Sequence, residues 1–438
     1  MSFFRRALPV GAVLLGTTFG GVSAYFGSNI VRSPVAAGGG NNPPGASGAQ
    51  ETMIPVLPRD DLELKFVQIF FRHGARTPLN SIPNVEEAYW DKSTIFGGAS
   101  DLCIDYNVCD LEGGEQPVWH TENHYRRRTL RGGSYGGQLT AKGMKQAHQL
   151  GTSLRKHYID NLHFLPAEFS PELVYTRSTN IHRTLQSLGC LLGGLYGQDM
   201  ASQKGPVTLY VAESSREILY PNSGNCKQLS QHYSSIFKDM FSVPGIRHAA
   251  AVIAPLLNYS EGETKKLDFI RVRDDLTARI EHDVDVPTYL LPVLDLIDRS
   301  AVVLCRHLIE GSNALSKDII RISAGPTMHY LTQTLDAVCK KEISYKLHLN
   351  SCHDTTLMTI LLALDAYDDV WPPLTAAVIF ELYQDKKGKS YVRAVYQGKE
   401  LKMLKSGKTL LPLEKFKELI APVSYTNEDY VDACKLSH

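Results

Sequence analysis

Short apolar runs alternate along the chain with segments whose apolar positions recur every three or four residues, and this pattern predicts alternating strands and helices. The first apolar run, residues 64–71 (LKFVQIFF), is rich in aromatic and aliphatic side chains and predicts a mostly buried strand. Two further strands are expected at residues 173–175 and 345–351. A polar turn follows each of the three runs. The sequence therefore favours an α/β fold.

Amphipathic helices are predicted after these strands. One begins after Thr140, a residue suited to cap a helix N-terminus, and carries apolar positions such as Met144 and Leu154 at helical spacing. Similar stripes follow in residues 181–192 and 357–364. We expect these helices to cover the faces of the sheet.

The remaining segments predict a hairpin, an insertion and a long excursion. Residues 378–383 and 391–396 are expected to pair as a β-hairpin around Gly388. Between about residues 225 and 335 the pattern is mainly helical, which predicts an inserted cap. Residues 79–137 are rich in glycine, proline and aromatic residues without clear periodicity, so we expect an excursion over the functional site.

The N-terminal segment, residues 1–58, is set apart from the domain expected at residues 59–438. Residues 33–58 contain GGG and NNPP and little that a core can use, so they predict a flexible tether. Residues 7–26 are uncharged, long enough to span a bilayer, and interrupted by four glycines. Three interpretations stay open: an uncleaved membrane anchor, a mitochondrial presequence, or a cleaved signal peptide of the secretory pathway.

The composition excludes several classes of protein. The 438 residues are 43% hydrophobic and 21% charged, which is ordinary for a globular protein. Since 46 basic residues balance 46 acidic ones, there is no general basic field and nucleic acid is not an expected partner. The eight cysteines show no zinc-binding spacing. Cys103 and Cys109 are close enough in sequence to form a disulfide, whereas Cys190 and Cys352 lie in apolar runs and are expected as buried thiols.

Charged residues stand at the ends of all three predicted strands. In open α/β sheets, ligands bind at the carboxyl ends of the strands, so these residues are expected to meet. They are Arg72, His73 and Arg76 at the first junction, Arg177 at the second, and His353 and Asp354 at the third. Three guanidinium groups and two imidazoles suit a phosphomonoester dianion. His73 can attack phosphorus to form a phosphohistidine, and Asp354 can protonate the leaving alkoxide.

Other polar residues leave alternatives open. Arg183, one turn into the second helix, can face solvent, pair with a carboxylate or join the site. Residues 126–128 (RRR) predict a solvated face, with a lipid head-group rim as the alternative. Ser134 fits the G-x-S-x-G pattern of a serine esterase, but no apolar strand precedes it as a nucleophile elbow requires.

Four segments resemble the histidine acid phosphatase family, from about residue 62 to the C-terminus. Residues 72–78 (RHGARTP) resemble its R-H-G-x-R-x-P signature, and His353-Asp354 resembles its catalytic H-D pair. Residues 177–179 (RST) resemble a family segment whose arginine is the third phosphate ligand. Residues 139–143 (LTAKG) resemble its L-T-x-x-G motif. The resemblance implies a Rossmann-like three-layer domain with a helical cap, and chemistry without a metal or cofactor. It implies catalytic roles for His73 and Asp354, and phosphate binding by Arg72, Arg76, Arg177 and His353.

Within the family, four segments look most like the lysophosphatidic acid phosphatase branch, which is mitochondrial: residues 137–140, 177–181, 371–373 and 381–384. The resemblance implies a lysolipid phosphomonoester as substrate. The alternatives are a sugar- or inositol-phosphate phosphatase of the same family, a phosphomutase, and an inactive, membrane-tethered protein that only binds phosphorylated ligands. Aromatic residues of the excursion are expected to line the acyl-chain site: Tyr89, Trp90, Phe96, Trp119, Tyr125 and Tyr135.

Overall fold

The computed structural model describes residues 54–57, 59–197, 205–311 and 316–435. Nine strands of this part of the chain form one sheet, in the order β2-β4-β3-β5-β1-β6-β7-β8, with β9 paired to β7. The strands are β1 (Leu62–Arg72), β2 (Tyr106–Asp110), β3 (Val174–Ser178), β4 (Val207–Val211), β5 (Leu347–Cys352), β6 (Ala377–Asp385), β7 (Ser390–Tyr396), β8 (Lys399–Glu400) and β9 (Leu410–Pro412).

Helices cover the sheet and fill the segment between β4 and β5. They are α1 (Lys92–Phe96), α2 (His120–Arg126), α3 (Ala141–Leu154), α4 (His182–Tyr196), α5 (Lys227–Lys238), α6 (Ile246–Leu256), α7 (Phe269–Glu281), α8 (Leu294–Glu310), α9 (Ser316–Cys339), α10 (Asp354–Ala363), α11 (Leu413–Ile420) and α12 (Asn427–Ala433). The α/β fold expected from the sequence is confirmed.

Strand β1 lies inside the sheet and shows why the fold has three layers. Its side chains alternate between the two faces. Val67, Ile69 and Phe71 pack with the apolar residues of α3 and α4. Phe66 and Phe70 pack on the opposite face with residues of α9 and α10. Both faces of the strand are therefore buried, which accounts for its nearly continuous apolar sequence.

The pairing of the central strands brings the three predicted junctions to one edge of the sheet. Strand β5 lies between β3 and β1 and is parallel to both. In register, Arg72 at the end of β1 pairs with Cys352, and Ser178 at the end of β3 pairs with Ser351. Strand β6 is antiparallel to β1 and forms the expected hairpin with β7.

The cysteines pair differently from the sequence expectation. Cys226 and Cys434 form a disulfide across 208 residues, whereas Cys103 and Cys109 are free thiols. The bridge that the sequence allows between Cys103 and Cys109 is not formed, because Cys109 lies in β2 while Cys103 packs against Gly189 of α4. Cys190 and Cys352 are buried thiols, as expected.

The membrane hypotheses concern residues 7–26, which lie outside the described residues. Of the helices that the structure does describe, none combines the length and the apolar character needed to cross a bilayer.

Candidate active site

The loop that follows β1 is fixed against the start of α3. A Cβ atom on Gly74 would lie 2.1 Å from the carbonyl oxygen of Gly143, so the two backbones approach too closely for any side chain. The carbonyl oxygen of Ala75 accepts hydrogen bonds from the backbone N–H and the hydroxyl of Thr140, at 3.0 and 3.1 Å. These contacts give His73 a rigid support.

His73 is buried and its protonation state follows from its neighbours. Its Nδ1 lies 2.8 Å from the carbonyl oxygen of Gly74, which can only accept, so Nδ1 carries the proton and Nε2 keeps a lone pair. Burial, followed by the positive charge of Arg183, holds the pKa of His73 well below its ordinary value of 6.5. The imidazole is therefore neutral at neutral pH and able to act as a nucleophile.

Arg72 and Arg76 are buried on either side of the loop. Arg72 forms an ion pair with Asp354 at 2.8 Å and donates to the carbonyl oxygen of Pro372 at 2.7 Å. Arg76 pairs with Asp274 of α7 at 2.8 Å. Burial lowers the pKa of Arg72 to about 10, so it remains a cation at neutral pH. In both arginines the Nε–H has no hydrogen-bond partner among the described residues.

His353 and Asp354 stand at the N-terminus of α10. His353 is the N-cap residue, and its Nε2 lies 3.1 Å from the hydroxyl of Thr179. Asp354 Oδ1 accepts from the backbone N–H of Thr355 at 2.8 Å, and Oδ2 accepts from the indole of Trp371 at 3.0 Å. Burial acts to raise the pKa of Asp354, but the nearby positive charges, Arg72 foremost, outweigh it and hold this pKa below its ordinary value. The carboxyl is ionised in this state.

Arg177 and Arg183, six residues apart, have different surroundings. Arg177 lies within β3, pairs with the buried Glu217 at 3.2 Å, and stacks 5.0 Å from the ring centroid of Tyr330. Arg183 lies in the first turn of α4 with its guanidinium 4.9 Å from the ring centroid of Tyr125. Its Nε and Nη1 have no hydrogen-bond partner in the part of the chain described.

A cavity of about 580 Å³ opens beside these groups. His73, Arg76, Arg183, His353 and Asp354 line its polar end. Of the other sequence-predicted site residues, Arg72 contacts this lining through its ion pair with Asp354, and Arg177 lies outside it. The sequence does not decide whether Arg183 joins the site, because the direction of a helical side chain depends on how the helix packs.

The cavity walls come from the excursion of residues 79–137, from the start of α4 and from the segment between β4 and β5, mostly through residues that the sequence did not single out. Apolar and aromatic wall residues include Leu79, Tyr125, Ile181, Tyr220, Pro221, Tyr233 and Ile309. Of the six aromatic residues expected to form the acyl-chain wall, only Tyr125 lines the cavity. Trp90 is fully buried in a separate cluster with Leu130, so its ring stabilises the excursion rather than the cavity, and Tyr89 is exposed.

The sequence as a whole places this site in a known group. A model of the histidine phosphatase superfamily (branch 2) matches residues 63–397. The chain belongs to this superfamily. It is a phosphomonoester hydrolase, as its motifs predicted.

Named relatives of this histidine phosphatase are phosphatases. The chain is 34% identical over 381 residues to the lysophosphatidic acid phosphatase type 6 of Mus musculus, covering 86% of this chain and 89% of the relative. It is 27% identical over 394 residues to the prostatic acid phosphatase of Rattus norvegicus, covering 85% and 89%. A solved structure of the multiple inositol polyphosphate phosphatase of Bifidobacterium longum has the same fold, with a TM-score of 0.53, 12% identity, and coverage of 87% and 96%.

The esterase interpretation of Ser134 does not fit this histidine phosphatase. The serine is fully buried and its hydroxyl donates to the carbonyl oxygen of Trp90 at 2.7 Å.

Two arginines of the run at residues 126–128 have different surroundings. Arg127 lines the cavity, whereas Arg126 forms an ion pair with Glu122 at 2.8 Å.

Proposed function

We propose that this chain hydrolyses lysophosphatidic acid through a phosphohistidine at His73. One observation carries the proposal: a neutral, buried histidine shares an apolar-walled cavity with Arg76 and Arg183, and each of these arginines keeps at least one N–H group without a partner among the described residues. Buried donors of this kind are costly unless a ligand accepts from them. A phosphate group supplies several acceptor oxygens and the opposite charge.

In the first step, the Nε2 lone pair of His73 attacks phosphorus while the bond from phosphorus to the ester oxygen breaks. The carboxyl of Asp354 gives its proton to the departing alkoxide. In the second step, water attacks the phosphohistidine, the carboxylate of Asp354 takes the proton from this water, and the bond from phosphorus to nitrogen breaks. His73 is then neutral again and inorganic phosphate leaves.

The proton on Asp354 depends on the substrate. Arg72 holds the carboxyl ionised in the free protein. A bound phosphate brings negative charge next to the carboxyl and competes for Arg72, and both effects raise the pKa of Asp354. A phosphomonoester also carries a proton of its own below about pH 6. The scheme therefore favours acidic conditions.

Arg183 replaces Arg177 as the third phosphate ligand in this proposal. Arg177 already has a carboxylate partner in Glu217, whose side chain also accepts from the backbone N–H of Ile218 and Leu219 at 2.8 Å. This ion pair supports the loop that continues to the cavity residue Tyr220. Arg177 keeps an unpartnered Nε–H but lies outside the cavity, whereas Arg183 lines the cavity and has no partner for either Nε or Nη1 among the described residues. The positive charge in the scheme comes from guanidinium groups, so we expect activity to survive a metal chelator.

Lysophosphatidic acid is supported by the named relatives at 31–34% identity and by the apolar cavity wall. The inositol polyphosphate alternative is not decided by the charge of the lining, because Glu213 adds a negative charge and Arg127 a positive one. The test compares kcat/KM of the full chain for lysophosphatidic acid, glycerol 3-phosphate and inositol phosphates. Four buried methylenes at about 0.8 kcal/mol each give a preference of more than about 100-fold for the lysolipid over glycerol 3-phosphate.

The wall provides a matched pair of variants for this test. Ile309→Ala should lower kcat/KM for the lysolipid and leave glycerol 3-phosphate hydrolysis unchanged, because Ile309 lines the cavity. Ile297→Ala is the control, since Ile297 is also buried on α8 but does not line the cavity. Equal kcat/KM for lysolipid and glycerol 3-phosphate in the unmodified protein would contradict the lipid assignment and leave the phosphatase assignment intact.

A further inference from the structure

Trp371 lies between α10 and β6 and is 6% exposed. Its indole N–H donates to Asp354 Oδ2 at 3.0 Å. The next residue, Pro372, accepts from Arg72 at 2.7 Å through its carbonyl oxygen. Two consecutive residues therefore hold both members of the ion pair between Arg72 and Asp354.

A face of the Trp371 ring contacts the helical segment between β4 and β5. The guanidinium carbon of Arg273, on α7, lies 3.8 Å from the ring centroid. Arg273 is itself fixed by an ion pair with Asp298 of α8 at 2.6 Å. The neighbouring residue on α7, Asp274, pairs with Arg76. Helix α7 thus reaches the site at two points, one through Arg76 and one through Trp371.

We propose that Trp371 is the positioning residue of the proton donor, and that Arg273 links this function to the helical segment. The proposal rests on the proposed role of Asp354 as the acid. Oδ1 is held by the backbone N–H of Thr355, whereas Oδ2 is shared by Trp371 and Arg72. When a bound phosphate replaces Asp354 as the partner of Arg72, the indole N–H is the donor that still binds Oδ2. The carboxyl then keeps its orientation at the moment when it must face the leaving oxygen.

The same hydrogen bond sets the strength of the acid. Donors to a carboxylate stabilise its ionised form, and the indole is one of the groups that lower the pKa of Asp354. The other charged or titratable groups around this carboxyl are Arg72, Arg76, His353, Cys352 at the end of β5, and Cys305 on α8. Removing only the indole donor leaves all of these in place and raises the pKa of Asp354.

The variant Trp371→Phe tests the proposal, because phenylalanine keeps a ring beneath Arg273 but has no N–H. We expect kcat for an alkyl phosphate, whose leaving group needs protonation, to fall about 10- to 100-fold. For p-nitrophenyl phosphate, whose leaving group needs little protonation, kcat should change little. The alkaline limb of the alkyl phosphate profile should move to higher pH. Arg273→Gln should give a smaller loss with the same selectivity.

Trp90→Phe is the matched control. Trp90 is fully buried, and its indole N–H has no hydrogen-bond partner among the described residues, so the substitution should not alter leaving-group dependence. Equal losses for both substrates in Trp371→Phe, or no loss, would overturn the positioning role. If Arg273→Gln lowered kcat equally for the alkyl phosphate and for p-nitrophenyl phosphate, the link between Trp371 and the helical segment would be overturned. If Asp354→Asn showed no leaving-group dependence, the proposed function would fail as well, which separates the two outcomes.

Discussion

Two groups of buried arginines in this molecule are alike in burial and opposite in hydrogen bonding. Arg393 in β7 is fully buried and donates to Glu381 at 2.7 Å, to Glu400 at 2.8 Å and to the carbonyl oxygen of Pro55 at 2.8 Å. Arg183 is 4% exposed, yet its Nε and Nη1 have no partner among the described residues. Burial alone would select both as candidates for function.

The difference shows how a structural arginine is distinguished from one that binds a ligand. Folding normally satisfies buried donors within the protein, as at Arg393, because an unsatisfied donor costs about 1–3 kcal/mol. Arg72, Arg76, Arg177 and Arg183 each keep at least one such donor, and all of them except Arg177 line the cavity or contact its lining. Concentrated at one cavity, these costs indicate a site whose binding partner is the substrate.

The largest effect is expected at His73. His73→Ala removes the proposed nucleophile and should lower kcat by more than about 10⁴-fold. The free energy of unfolding should change little by comparison, as measured by denaturant titration. A buried histidine outside the cavity, His348, is the control: His348→Ala should cost stability and leave kcat of the folded protein unchanged. Substantial turnover by His73→Ala would refute the phosphohistidine scheme.

The ion-pair cluster of Arg393, Glu381 and Glu400 should affect stability and not catalysis. Glu381→Leu leaves Arg393 with an incomplete set of partners and removes the acceptor of Tyr158 and Tyr383. We expect the free energy of unfolding to fall by about 3–5 kcal/mol. The kcat of the remaining folded protein should be unaffected. A drop in kcat without a loss of stability would remove the distinction between the two clusters.

Arg183 and Arg177 sharpen the comparison within the site. Arg183→Gln should lower kcat/KM by about 10²- to 10³-fold, the usual scale for one donor to a developing anion. Arg177→Gln should mainly lower stability, because it strands the buried Glu217. The reverse result, with Arg177→Gln as the more damaging variant for kcat/KM, would restore Arg177 as the third phosphate ligand.

The smallest effect concerns pH. The depressed pKa of His73 keeps its neutral, nucleophilic form populated as the pH falls. After correction for substrate ionisation, kcat/KM for p-nitrophenyl phosphate should therefore stay nearly flat from pH 7.5 to 5. A histidine with a pKa of about 6.5 would lose about 30-fold over this range. In Arg183→Gln the pKa of His73 should rise, so the loss of activity on the acidic side should begin at a higher pH. If the unmodified protein lost activity with an apparent pKa of about 6.5, the depressed pKa of His73 would be contradicted.

The sequence was sufficient to predict the parts of the site in which a motif directly follows a predicted strand. Residues 72–78 and His353-Asp354 follow strands that are readable from their apolar runs, and the parallel order of β3, β5 and β1 brings them together. The rest depended on distances that a sequence does not contain. The disulfide joins residues 208 positions apart, and Ile309 reaches the cavity from a helix between β4 and β5. The edge strand β2 and its neighbour β4 have five residues each and were not predicted.

The contact between Gly74 and Gly143 has a consequence for how this protein can vary. A Cβ on Gly74 would meet the backbone of residue 143, and a Cβ on Gly143 would lie 2.1 Å from the carbonyl oxygen of Ala75. In most packed pairs, a larger residue on one side is compensated by a smaller one on the other. Here both partners are already the smallest amino acid, so no compensating replacement exists at the contact. Each position is therefore expected to remain glycine whatever residue stands at the other, because no replacement at one of them makes room for a side chain at its partner.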